Sequence, residues 1–295
     1  MTHPTIGFIG LGLMGGEMVH CLQKSGFAVN VLGNRDRRQL DAAIGRGATE
    51  MASARQTAEA SDIVMLCMGT SDQVEGRMRG TDGVIAGLSA GKVVIDFGTS
   101  LPGSTIALGA EVAEAGAQYL DAPLGRTPAH ATDGLLNIMC AGDKAAFDQV
   151  KPVLDVLGEN VFHLGDLGAG HTIKLINNFF GMTIANAMSE AFAIADTAGI
   201  PRQSLYDVIA AGPLKSGMMD FVAGYGLEGD PSKLAFSIRN AAKDIGYYKE
   251  MTDKLGAPSV MSRSTLEALS DARDNGRGDD MVSQMIDYYV ERFKG

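Results

Sequence analysis

The feature that most constrains this chain is a glycine-rich turn near its start. Thr5–Ile9 is apolar and strand-like, a helical pattern follows from Glu17 to Lys24 and ends near Gly26, and Gly10, Gly12 and Gly15 lie between them as G-x-G-x-x-G. A strand-turn-helix with this spacing is built for a dinucleotide. The first glycine makes the tight turn, the second lets backbone approach a pyrophosphate, and the third lets helix and strand pack closely. The positive end of the helix then faces the phosphates. Gly10, Gly12, Leu13, Met14 and Gly15 are therefore the expected cofactor-binding residues of the first turn.

Such a turn needs a parallel sheet around it, and the first half of the chain has the pattern for one. Val29–Leu32, Asp62–Met68 and Lys92–Asp96 are short apolar runs, as expected of strands covered on both faces. Ala117–Leu120, Leu136–Cys140 and Val161–Leu164 are further strand candidates, and helical patterns alternate with all of them. After about Gly165 the texture changes. A helical pattern runs with few breakers from Gly168 to Ala198, long enough to bridge two domains. Arg202–Ala211, Ser232–Leu255, Pro258–Asn275 and Asp280–Phe293 also read as helices, and no strand pattern appears among them. The expected architecture is an α/β Rossmann-like doubly wound sheet over residues 1–165, followed by an all-α domain over residues 166–295 that serves substrate binding and dimerisation.

The end of the second strand bears on the cofactor. An acidic residue there would bind the ribose 2′-hydroxyl of NAD. Here Gly33 takes that place, followed by Asn34-Arg35-Asp36-Arg37-Arg38. Arginines beside a missing acid suit a 2′-phosphate, so Asn34 and Arg35 are expected at the cofactor and NADP is favoured over NAD. Two other readings stand beside this one: Arg37 and Arg38 decorate a helix start, or Asp36 is a displaced ribose ligand.

Charge narrows the partners. With 25 basic and 35 acidic side chains the formal net charge is −10, which disfavours nucleic acid and anionic membrane surfaces. No run of about 18 apolar residues and no leader pattern is visible. Three dispersed cysteines, Cys21, Cys67 and Cys140, suggest neither a disulfide framework nor a thiolate metal site, and a reducing, cytoplasmic location is expected. No His/Asp/Glu grouping has metal-ligand spacing, so no metal is expected.

The chemistry is read from Gly168-x-Gly170-His171-x-x-Lys174-x-x-Asn177-Asn178. Lys174 and Asn178 are four apart and share a helix face. A lysine and an amide so placed can hold a carbonyl oxygen, the lysine as proton donor. The same pair also occurs as an ordinary surface lysine and helix asparagine. His171 lies three residues before Lys174 on nearly the same face, where it would serve as a cap or packing residue or tune a proton.

Four stretches in order carry a resemblance to the β-hydroxyacid dehydrogenase family. They are Gly7-Phe-Ile-Gly-Leu-Gly-Leu-Met-Gly15, Asp121-Ala-Pro-Leu-Gly125, the Gly168 to Asn178 segment, and Lys243-Asp244. The resemblance implies that Lys174 is the catalytic acid/base, that Asn178 with its neighbour Asn177 meets substrate, that Lys243 lies near cofactor and substrate, and that Thr99 touches cofactor. The loop after Asp121 departs from the family's D-A-P-V-S-G-G: the serine and second glycine that hold a substrate carboxylate are absent, and Arg126 and Thr127 follow Gly125 instead. That variant resembles the sulfolactaldehyde reductase branch, where the arginine is associated with a sulfonate tail. A Leu-Pro pair at the fourth strand is replaced by Met68-Gly69, which bears on the nicotinamide pocket.

Independently of family, a guanidinium offers a planar fork of donors to a carboxylate, sulfonate or phosphate. The expected activity is reduction of a small anionic semialdehyde to a hydroxy acid by a nicotinamide cofactor, with substrate in the cleft between the domains and the acid tail on Arg126 and Thr127. The competing readings are a 3-hydroxyisobutyrate-type dehydrogenase, an imine reductase, and a non-catalytic NADP-binding module. The Ala-rich face of Ala185–Ala198 and the resemblance together imply a homodimer or homotetramer.

Overall fold

The computed structural model describes residues 3–33 and 36–294. The chain forms two compact units, Met1–Lys174 and Leu175–Gly295. The first begins with the strands β1 (Ile6–Ile9), β2 (Val29–Leu32), β3 (Thr49–Met51), β4 (Ile63–Leu66), β5 (Val93–Asp96) and β6 (Gln118–Asp121). Between them run the helices α1 (Leu13–Lys24), α2 (Arg38–Gly45), α3 (Ala54–Glu59), α4 (Ser71–Met78) and α5 (Pro102–Glu114). The six strands are all parallel, in the order β3-β2-β1-β4-β5-β6.

The burial pattern explains why these strands read as unbroken apolar runs. Ile6, Phe8, Val31, Met65 and Ile95 belong to one buried layer, while Ile9, Leu32, Val64, Leu66 and Val94 belong to another on the opposite face. Alternate side chains point to opposite faces, and helices cover both, so neither parity is polar. Each such side chain contributes about 1.5–3 kcal/mol by leaving water.

Two expectations about the later strands are corrected. Leu136–Cys140 and the strand around Val161 do not extend the parallel sheet. With β7 (Leu124–Gly125), β8 (Leu136–Cys140) and β9 (Gly158–His163) they form a separate sheet, antiparallel between β7 and β8 and parallel between β8 and β9. Helices α6 (Pro128–Thr132) and α7 (Lys144–Leu157) make its connections. The sequence pattern also misses β3, whose Thr49 and Glu50 are exposed, and β7, which is two residues long.

The second unit is helical. α8 (Ala169–Thr197) starts in the first unit and continues into the second, where α9 (Arg202–Ala210), α10 (Gly217–Glu228), α11 (Ile238–Lys254), α12 (Val260–Ala272) and α13 (Met285–Lys294) follow. The 29-residue α8 matches the expected long helix. The helix expected from Ser232 is broken: a 3₁₀ turn at Pro231–Leu234 precedes α11, which starts where Ser237 accepts a hydrogen bond from the Asn240 amide. The helix expected to reach Asn275 ends at Ala272, and the turn after it contains Gly276 at φ +89°. α10 was not anticipated. Its four glycines and alanines hide the period, but Ser216 caps its start and left-handed Gly229 ends it. Met182, Met188, Phe192, Val222, Ile245 and Ile286 fill this unit's core. Among the described residues no helix is long and apolar enough to cross a membrane.

Candidate active site

Sheet order locates the first half of the site. From β1 the chain moves outward to β2 and β3, then returns to β4 on the other side of β1. Ligands of such sheets bind where the order reverses, beyond the carboxyl ends of the strands. The segments after β1, β4 and β5 meet there. A side-chain carbon on Gly10, which has φ +103°, would stand 2.3 Å from the Cys67 carbonyl oxygen, and one on Gly98 would stand 3.0 Å from that of Met68. The predicted residues Gly10, Gly12, Met68, Gly69 and Thr99 are thus gathered at one sheet end.

Within the glycine turn the three positions have separate physical duties. Gly10 needs its positive φ and its bare α-carbon. A carbon on Gly15 would lie 2.0 Å from the Gly10 carbonyl oxygen, so this glycine is required by packing. A side-chain carbon on Gly12 would meet nothing within 4 Å. This glycine faces open space at the start of α1, which has no side-chain cap and no acid in its first turn. Leu13 beside it is 78% exposed. A helix start without a side-chain cap, a positive helix end and an open glycine fit an approaching pyrophosphate.

Asp96 was not singled out from sequence. It is fully buried at the end of β5, where its carboxylate accepts hydrogen bonds from the Gly98 amide at 2.8 Å and the Ser100 hydroxyl at 3.0 Å. Those two bonds shape the turn that presents half-buried Thr99.

At the end of β2, Asn34 and Arg35 lie outside the described residues. Their neighbours are engaged within the chain. Arg37 donates to both oxygens of Glu50, at 2.9 and 3.0 Å, and to Asp41 at 3.2 Å. Arg38 donates to Asp36, whose exposed carboxyl these bonds hold down at about 2. Both arginines at the start of α2 are thus paired with acids of the chain. Glu50, from β3, comes within 3.0 Å of the position a side-chain carbon on Gly33 would take.

Arg126 stands out in the β7–α6 loop. It is the one non-glycine among the described residues with positive φ, at +76°, where an L side chain is strained by about 1 kcal/mol or more. It stands where the family pattern quoted above has glycine, the residue for which a positive φ carries no strain. Its Nη1 donates to the Leu135 carbonyl at 2.7 Å and lies 2.5 Å from a Glu159 carboxylate oxygen. Both contacts use one nitrogen. Beside it, Thr127 Oγ1 is 2.8 Å from His130 Nδ1, and Gly125 packs against Asn137.

The start of α8 is built differently from that of α1. Asp121, fully buried at the end of β6, accepts the Gly168 amide at 2.8 Å and the His171 amide at 2.7 Å, one on each carboxylate oxygen. Gly168 enters the helix at φ +94°, and a side-chain carbon on Gly170 would stand 2.2 Å from the Met139 carbonyl oxygen. The G-x-G before Lys174 thus exists to turn the chain and to let the helix press onto β6 and β8. Burial pushes the Asp121 carboxyl up, while His171 and the two amides pull against that shift. His171 itself is fully buried, with Nδ1 2.8 Å from Thr105 Oγ1. One turn later, Lys174 is half-buried.

In the second unit, Asn178 and Lys243 are brought together by a residue the sequence reading quoted without a role. Buried Asp244 accepts from Asn178 Nδ2 at 2.6 Å and lies 2.9 Å from Lys243 Nζ. The Lys243 ammonium also sits 5.4 Å from the centre of the Tyr247 ring. Asn177, exposed, donates to Asn178 Oδ1 at 3.3 Å. The amide of Asn178 is therefore fixed on both sides.

Burial pushes the Cys67 and Cys140 thiols up to about 12, against which the Gly15 amide of the glycine turn, hydrogen-bonded to Cys67, pulls slightly. His163 packs against Phe147 and hydrogen-bonds the Gly142 carbonyl at 2.9 Å.

A Rossmann sheet with this glycine turn, followed by a helical unit carrying lysine and amide groups, defines an NAD(P)-dependent oxidoreductase. Residues 5–165 match the NAD binding domain of 6-phosphogluconate dehydrogenase, and residues 168–289 match the family described as NAD-binding of NADP-dependent 3-hydroxyisobutyrate dehydrogenase. The chain belongs to the β-hydroxyacid dehydrogenase family. It is 30% identical to 2-(hydroxymethyl)glutarate dehydrogenase of Eubacterium barkeri, over 95% of this chain and 93% of that one. It is likewise 30% identical to 3-sulfolactaldehyde reductase of Escherichia coli (strain K12), over 92% of this chain and 91% of that one. The solved structure of Mycobacterium tuberculosis 3-hydroxyisobutyrate dehydrogenase with L-serine shares the fold, with a TM-score of 0.88 at 24% identity over 97% of this chain and 99% of that one. These names span several small hydroxy acids and aldehydes, so the family defines the reaction type and leaves the substrate to the site.

Proposed function

We propose that this enzyme reduces a small anionic semialdehyde to its hydroxy acid, reversibly, with Lys174 as proton donor. The substrate class is 3-sulfolactaldehyde-like, with succinate semialdehyde, tartronate semialdehyde and glyoxylate as the carboxylate counterparts. The observation that carries this reading is Arg126. A strained left-handed arginine stands where the family pattern has glycine, in a loop whose other side chains from Leu124 to Thr132 are neutral apart from His130. Held through Nη1 by Leu135 and Glu159, the guanidinium has its Nε–Nη2 edge for a planar acid group.

Bound cofactor supplies the hydride to the aldehyde carbon. Gly10, Gly12, Leu13, Met14 and Gly15 hold the pyrophosphate at the start of α1, and Met68, Gly69 and Thr99 line the same sheet end. Lys174 gives a proton to the oxygen as it becomes an alkoxide, and its charge stabilises that oxygen beforehand. Asn178, fixed by Asp244, orients the carbonyl, with Asn177 and Lys243 beside it. Gly125, Arg126 and Thr127 hold the acid tail, which aligns the aldehyde for transfer. NADP is favoured over NAD on Gly33 replacing the ribose-binding acid and on Asn34-Arg35 following it. The apolar groove lined by Ala187, Ala191, Ile194, Ile200 and Val208 supports a homodimer or homotetramer.

The test is oxidation of NADPH and of NADH against those four anionic aldehydes and one neutral aldehyde. Strong preference for one anionic aldehyde with NADPH is expected. Equal rates with the neutral aldehyde remove Arg126 from the account, and a preference for NADH removes the cofactor assignment.

A further inference from the structure

We propose that His171 is a positioning residue: together with Asp121 it clamps the first turn of α8 to β5, β6 and α5, and so fixes where Lys174 stands. This rests on the reading of Lys174 as the proton donor. Six other helices of this chain, α3, α4, α7, α10, α11 and α12, are capped locally by Ser53, Thr70, Asp143, Ser216, Ser237 and Ser259. A local cap satisfies the first amides but says nothing about how the helix is rotated against its neighbours. α8 is held otherwise. Its amides are taken by a carboxylate 47 and 50 residues away in sequence, and its first inward side chain, His171, is taken by a different helix.

Thr105 Oγ1, itself 3.2 Å from the Leu101 carbonyl, lies 2.8 Å from His171 Nδ1, so one hydrogen bond ties the ring to α5. Two buried carboxylates flank the ring beyond hydrogen-bond distance, and Nε2 is buried with no hydrogen-bond partner among the described residues. Asp96 and Asp121 sit at paired positions of neighbouring strands, and their oxygens are 3.8 Å from Nε2 and 3.7 Å from Nδ1. Tyr119, on β6, has a fully buried hydroxyl whose proton burial holds in place, with Asp96 and Asp121 adding to the effect. A rigid ring thus touches α5, β5 and β6 at once. The same strand ends shape the turn of Thr99 through Asp96 and lead into the Arg126 loop through Asp121.

The consequence for Lys174 is geometric. Helix side chains reach roughly 5–6 Å from the axis, so a rotation of ~20° displaces the ammonium by about 2 Å. A misplacement of ~1 Å at a reacting group costs on the order of a hundredfold in rate.

The experiment uses full-length enzyme and the best anionic aldehyde. His171→Ala is expected to lower kcat by ~10- to 100-fold while KM and cofactor affinity stay within about twofold. His171→Asn, whose side-chain nitrogen reaches the Nδ1 position, is expected to restore most of the loss. Thr105→Val keeps the shape of the site and should reproduce part of it, which covers the case of a misfolded His171→Ala. In a Lys174→Ala background the His171 substitution should cost nothing further, because its effect passes through Lys174. Equal losses in both backgrounds, or a change in KM alone, overturn the proposal. Amide hydrogen exchange supplies the readout that needs no turnover: residues 168–178 should exchange faster in His171→Ala with α1 unchanged. Unaltered exchange there overturns the clamp even if no aldehyde is a substrate, an outcome that would separately remove the reductase reading.

Discussion

Two helix starts in the first unit use the same physics in opposite ways. α1 begins at Gly12, which provides no side-chain cap, with no acid in its first turn and open space above the glycine. α8 begins against Asp121, a fully buried carboxylate that already takes two of its amides. Both helix ends are positive. One keeps its anion site for a ligand, and the other is filled by the protein's own acid. The difference teaches how to tell a binding helix from a positioned one: the first must be uncapped and glycine-lined, the second must be anchored to something outside itself.

The largest effect expected from breaking this contrast is at the group α8 carries. Lys174→Ala should lower turnover by ~10²- to 10⁴-fold with cofactor affinity nearly unchanged, measured by steady-state rates beside direct binding. Equal activity would end the proton-donor role. Next come the glycines of α1, where a matched pair sharpens the comparison. Gly15→Ala forces a carbon to 2.0 Å from the Gly10 carbonyl oxygen and should lose about 1–3 kcal/mol of stability or more in denaturant melts. Gly12→Ala meets no atom of the protein within 4 Å, so it should melt like the parent and still bind cofactor more weakly. Similar melts for both variants would refute the division of duties.

A smaller effect is expected at the loop. Arg126→Ala should raise KM for acid-tailed aldehydes about 10- to 100-fold, as loss of a charge-assisted bidentate contact does, and leave a neutral aldehyde little changed. Arg126→Gly should show the same KM change with slightly greater stability, because the +76° backbone suits glycine. The smallest effect is a pH dependence at Asp121. Burial raises its carboxyl in the folded state, so the folded protein binds the proton more tightly than the unfolded chain. Its contribution to stability is present below the unfolded value near ~3.9 and declines as pH rises through the folded value. Asp121→Asn should lack that decline, so the stability difference between parent and variant should move against the parent as pH rises from about 4. A difference that is flat with pH would mean that Asp121 keeps its unfolded affinity for protons.

Much of this could be read along the chain because it is local. Gly10, Gly12 and Gly15 announce a turn by spacing, the apolar runs at β1, β2, β4 and β5 announce buried strands, and Lys174 with Asn178 announces a shared face. β7 and α10 escaped because two residues carry no period and a glycine-rich helix carries a weak one. The partners of the site escaped for another reason. Asp121 meets α8 across 47 residues, Asp244 meets Asn178 across 66, and Glu159 meets Arg126 across 33. The cofactor motif had the same blind spot: Arg37 looked available for a phosphate until β3 placed Glu50 against it.

By itself, then, the sequence determined the layers, the dinucleotide turn and the family of reaction, because backbone conformation and side-chain parity follow from neighbours a few residues apart. Only the tertiary structure decided which charges are committed to one another, because a buried acid chooses its partner by where the strand ends meet, and no periodicity in the chain records that meeting.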